Sequence, residues 1–97
     1  MKIYLPHIKY TVYVKEFKTP PPQIANAQAW VRRDDMYSST IFIKKGEKKN
    51  TPNIAHEVVH ILQFICLDRN IDFCTETEHM GYLMQYITGE IMGYTWA

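Results

Sequence analysis

Hydrophobic positions along the chain follow two periods, and the change falls near Lys49. Before it, apolar and polar residues alternate in short runs. Lys2–Leu5 is short and apolar-rich, and His7–Phe17 is dense in β-branched and aromatic residues, from Ile8 and Tyr10 to Val14 and Phe17. Such composition suits a pleated, half-buried strand. Pro6, between the two runs, marks a bulge or an edge. The triple proline in Thr19–Gln23 predicts an extended connector, not a central strand. Ala27–Arg33 reads as a strand with Trp30 opposite to Ala29 and Val31, and Asp34-Asp35 as a turn. Ser39–Lys45 is the clearest strand, followed by a polar loop over Gly46–Asn50. Trp30 and Phe42 are expected on the core face of the sheet.

After Thr51 the period becomes helical. Thr51-Pro52 predicts a helix start, with a hydroxyl cap ahead of a proline in the first turn. The helix is expected to reach Arg69, whose charge suits a C-terminal dipole, with Asn70 as a left-handed stop. Its apolar residues, from Ile54 to Leu67, cover most of the circumference and predict burial on several sides. A second helix is expected from about Thr75 to Gly93, with Met80, Leu83, Met84, Ile87, Ile91 and Met92 inward. Gly81 and Gly89 weaken it by roughly 1 kcal/mol each unless they permit close packing. Together these elements predict an α+β fold in a single domain, residues 1–97: a small, mostly antiparallel sheet of three or four strands followed by two helices.

Composition narrows the class. The chain has 97 residues, 46% hydrophobic and 13% aromatic, with a net charge of +1, which excludes disordered and low-complexity classes. Two cysteines, Cys66 and Cys74, make no disulfide framework and are expected as buried thiols in a reducing compartment. No apolar stretch suits a leader or a bilayer span, so the expectation is a soluble, cytoplasmic protein without a membrane partner. The charge is split: residues 1–50 carry +6 and residues 51–97 carry −5. Lysines flanking a strand are expected to be solvated edge positions, so no nucleic-acid partner is expected.

Within the first helix stands His56-Glu57-Val58-Val59-His60, an HExxH motif. Histidines four residues apart share one helix face, close enough to grip one zinc ion, and Glu57 lies beside that face within reach of a water. A catalytic zinc needs a third protein ligand. Glu76, Glu78 and His79 lie 16 to 19 residues after His60. Glu78 is preferred because it shares a stripe with Tyr82 and Gln85, although Thr75 and Glu78 also have capping-box spacing. Tyr82 and Tyr86 are candidate oxyanion donors, but core positions are preferred for them.

The chain here resembles the gluzincins, HExxH zinc metallopeptidases whose third ligand is a downstream Glu. It is most similar to very short metallopeptidases encoded by phages and prophages, and distantly to ImmA/IrrE-type peptidases. The matching residues are His56–His60 and Glu76-Thr77-Glu78-His79-Met80-Gly81-Tyr82-Leu83, within a stretch of about Thr51–Ile91. The resemblance implies a minimal zincin-like fold, His56, His60 and Glu78 as zinc ligands, Glu57 as general base, and hydrolysis of a peptide or protein substrate in the host cytoplasm. The substrate is expected beside an edge strand, taken as Ser39–Lys45. The alternative is a weak or inactive zinc-binding module with a regulatory or interaction role.

Overall fold

The computed structural model describes residues 1–19 and 27–93. Four strands, β1 (Lys2–Leu5), β2 (Tyr10–Phe17), β3 (Ala29–Asp35) and β4 (Ser38–Lys44), precede two helices, α1 (Thr51–Arg69) and α2 (Thr77–Met92). The fold is α+β. The sheet order is β1-β2-β4-β3, with β1–β2 and β3–β4 antiparallel and β2–β4 parallel. The Pro-rich connector expected from Thr19 to Gln23 lies, apart from Thr19, outside the described residues.

Local chemistry moves several boundaries. Pro6 opens a 3₁₀ turn over Pro6–Ile8, closed by Lys9 at φ 49°, so β2 starts at Tyr10 and not at His7. The expected turn at Asp34-Asp35 is the end of β3, with a register shift between Arg33 and Asp35. Asp35 Oδ1 accepts from the Tyr37 N–H at 2.7 Å and the Ser38 hydroxyl at 3.1 Å, which places the reversal at Met36-Tyr37. Asn50, not Thr51, caps α1: its Oδ1 accepts from the Asn53 N–H at 3.4 Å. At the far end Asn70 takes the left-handed stop, φ 54°.

One sheet face and both helices build the core. Ile3, Leu5, Tyr10, Val12, Val14, Ile41 and Ile43 meet Ile54, Val58, Ile61, Leu62 and Ile65 of α1, and Met80, Ile87, Ile91 and Met92 of α2. Each fully buried aliphatic side chain contributes about 1.5–3 kcal/mol. Trp30 and Phe42 are not in this core. Side chains alternate along a strand, and with Ile41 and Ile43 inward, Phe42 and its cross-strand neighbour Trp30 stand on the opposite face.

Helix α1 is also less enclosed than its apolar content predicts. His56, Val59, Gln63 and Leu67 form an exposed stripe, with Leu67 81% exposed, because α2 and the sheet cover only the remaining sides. Contacts of Cys66 Sγ with Met80 Sδ (3.5 Å) and Thr51 Oγ1 with Met92 Sδ (3.7 Å) set α2 antiparallel to α1. Both cysteines are free. Cys66 is buried as expected, whereas Cys74 is exposed. No described helix is long and apolar enough to cross a membrane.

A Cβ at Gly81 would meet no atom within 4 Å, so this glycine serves no close packing in α2. Gly81→Ala should therefore stabilise the fold by up to about 1 kcal/mol through helix propensity, raising Tm by roughly 4–8 °C. Differential scanning calorimetry checks this, and an unchanged or lower Tm would contradict it.

Candidate metal centre

The HExxH residues lie in the second and third turns of α1, where helical spacing puts His56 and His60 one above the other. Their Nε2 atoms stand 3.3 Å apart, with the rings crossing at 75°. Two imidazoles at 2.0–2.1 Å on a tetrahedral zinc hold their nitrogens about 3.3–3.4 Å apart. The pair therefore has the bite of a bidentate zinc grip. His60 is also oriented from behind, since its Nδ1 lies 2.9 Å from Gln63 Oε1. A proton on Nδ1, donated to that oxygen, leaves Nε2 as the free electron pair. Sequence reasoning missed Gln63, although its position three residues after His60 on one helix face was a readable signal.

Glu57 points to one side of the pair. It lines a cleft of about 210 Å³ with Gln28, Ala29, Asn53 and His56, between α1 and the start of β3. Burial pushes its carboxyl pKa up from its ordinary value, against the opposing pull of the His56 and His60 rings. A carboxylate withdrawn from water is a better proton acceptor. Gln28 and Asn53 were also missed. Asn53 lies one helical turn before Glu57, but nothing in the local pattern marks Gln28, which tertiary packing alone brings here.

The wall opposite α1 is an edge strand, though not the expected one. β4 (Ser38–Lys44), which takes in all of the predicted Ser39–Lys45 but Lys45, is sandwiched between β2 and β3 and has no free edge. Its second edge is taken up because β2 pairs with it in parallel. β3 is the edge on the α1 side, and its outer main chain is unpaired among the described strands. Its position is fixed by a two-pronged ion pair, Arg33 Nε and Nη2 each donating at 2.8 Å to the Asp68 carboxylate of α1.

Arg33 holds the Asp68 pKa below its ordinary value. A carboxyl lowered on folding contributes stability above its unfolded pKa near 3.9, and that contribution disappears as pH falls through the lowered folded value. The stability gap between parent and Asp68→Asn should thus be constant above about pH 5 and shrink progressively as the pH is lowered further. Urea unfolding of both proteins across that range checks it, and a gap that widens in acid would contradict it.

The three candidates for a third ligand separate. Glu76 and His79 line another cleft with Asn70, Ile71, Asp72 and Thr75, at the α1–α2 loop. Glu78 is exposed in the first turn of α2. The capping box that would have occupied it does not form. Thr75 Oγ1 donates to Asp72 Oδ2 at 3.0 Å, and α2 begins after Glu76 with no side-chain cap. Among the described residues no hydrogen bond or ion pair engages the Glu78 carboxylate, and no third His, Cys, Asp or Glu joins the histidine pair. The antiparallel register explains the distance. Met80 lies against Cys66, six residues and about 9 Å of helix rise beyond His60.

Tyr82 and Tyr86 are not core residues. They are 68% and 39% exposed, on turns of α2 that pass the middle of α1, and the Glu90 carboxylate pushes the Tyr86 hydroxyl pKa up. Past His60 along α1, Val59, Gln63, Phe64, Cys66, Leu67 and Phe73 line a largely apolar groove of about 610 Å³. No protein-family model, curated protein or solved structure matches this chain.

Proposed function

We propose that the protein is a zinc-dependent peptide hydrolase, with His56, His60 and Glu78 holding the metal and Glu57 acting as general base. The observation that carries this reading is the 3.3 Å convergence of the two Nε2 atoms beside a half-buried Glu57 in a cleft. Glu78 enters through the helix stripe it shares with Tyr82 and Gln85 and through the resemblance to short HExxH peptidases; the register holds it apart from the histidine pair, so this role requires the first turn of α2 to move towards His60. Zinc bound there would polarise the scissile carbonyl and lower the pKa of its water towards ~7.

The chain's own groups supply the rest. The Glu57 carboxylate accepts the proton of the attacking water and delivers it to the leaving amine. Gln63 keeps His60 in one tautomer. An extended peptide adds to the free edge of β3, where main-chain hydrogen bonds hold it across the cleft. The groove beyond His60 suits an apolar side chain of that peptide. Two unbridged cysteines fit a reducing cytoplasm as the place of action.

The test is turnover of a peptide library by the zinc-loaded protein, with the chelated protein as its control. Metal-dependent cleavage supports the reading. Stoichiometric zinc without any cleavage would leave a zinc-binding module with no hydrolase function.

A further inference from the structure

The sheet face turned away from the helices carries the aromatic residues that the core does not use. One row across the strands is Lys2, Tyr13, Thr40 and Arg32, and the next is Lys15, Phe42 and Trp30. Trp30 stacks on Phe42 at 4.5 Å with 12° between the rings, Phe17 leans on Trp30 at 4.6 Å and the Arg32 guanidinium lies over Phe42 at 5.2 Å, so this stack is closed and leaves Tyr4 and Tyr13 as the exposed rings of the face. Tyr13 is 36% exposed, one same-face row along and one strand across from Phe42.

Charge on this face is one-sided. Its one acid in the paired rows' vicinity, Asp34, is consumed by Arg32 at 2.8 Å and the Thr40 hydroxyl at 2.7 Å. Lys2 and Lys15, with Lys44 beside Phe17, are exposed and have no carboxylate partner among the described residues. The +6 of the first fifty residues is thus presented partly as a cationic, aromatic platform, not only as dispersed edge lysines.

We propose that this face binds single-stranded nucleic acid, with bases stacked on the exposed rings of Tyr4 and Tyr13 and phosphates held by Lys2, Lys15 and Lys44. Flat rings interleaved with cations match a chain that alternates planar bases with negative charges. An acidic polypeptide would use the lysines but leave the ring platform without a counterpart. A duplex hides the faces of its bases from the rings. The platform lies on the side of the sheet opposite α1, so this binding is independent of the hydrolase reading.

Fluorescence anisotropy with labelled oligothymidylate and oligouridylate of about a dozen nucleotides tests it. Binding should weaken with salt, with a log–log slope near −2 for three lysine contacts at about −0.7 each. Tyr13→Ser should weaken binding about tenfold at unchanged slope. Lys2→Gln with Lys44→Gln should reduce the slope by about 1.4. Tyr4→Ser, on the same face and 50% exposed, substitutes if Tyr13→Ser does not fold. No binding, equal binding of a duplex or of polyglutamate, or indifference to loss of the ring would overturn the proposal.

Discussion

Glu57→Gln should keep zinc bound and lose at least about 10²-fold in hydrolysis. The substitution preserves the shape of the side chain lining the cleft and removes only its capacity to take a proton. Glu78→Gln carries the same change in charge and should fail differently. As a ligand, Glu78 matters to zinc affinity itself, so its variant should bind the metal weakly and hydrolyse little for that reason. In the metal-free protein it should be nearly silent, because Glu78 belongs to no cap. Only the effect of a carboxylate in a first helical turn is lost there, about 0.3–1 kcal/mol. Zinc titration of both variants separates the two roles. If Glu78→Gln binds like the parent while Glu76→Gln or His79→Ala does not, the third ligand comes from the loop cleft and the start of α2 must turn over.

Removal of zinc should lower Tm by several degrees or more. A ligand that binds only the native state adds about 4 kcal/mol at a thousandfold excess over its Kd. Small domains are stable by roughly 5–15 kcal/mol, so the metal would supply a large share. The architecture gives a reason for such dependence. The exposed stripe of α1 has Val59 and Leu67 facing outward, and α2 reaches α1 through methionine contacts near its two ends. A metal shared between α1 and Glu78 would add a tie between the helices beside the Met80–Cys66 contact. Melting curves before and after verified chelation check this, and superimposable curves would remove any coupling between metal and fold.

The order of elements and the two helices were legible because period 2 and period 3.6 are strong local signals, and the Asn70 stop was legible because asparagine tolerates the left-handed conformation that ends a helix. What the sequence hid was tertiary. Nothing local tells β4 to pair in parallel with β2, and that pairing takes up the second edge of β4 and leaves β3 as an edge strand among the described strands. Alternation put Trp30 and Phe42 on one face but not on which one; the helices chose Ile41 and Ile43. At the site, His56, Glu57 and His60 were readable because a single helix arranges them. Gln28 and Ala29 were not, since a separate strand supplies them. Glu78 could be named from its stripe with Tyr82 and Gln85 and from the resemblance, but its relation to the pair depends on how α2 crosses α1.

The central claim is that this chain holds one zinc ion through His56 and His60. Elemental analysis of the purified protein with His56→Ala and His60→Ala beside it tests that claim most directly. We expect one zinc per chain in the parent and none in either variant, since each leaves at most two ligands. A parent without zinc after loading, or a histidine variant that keeps full occupancy, would contradict it.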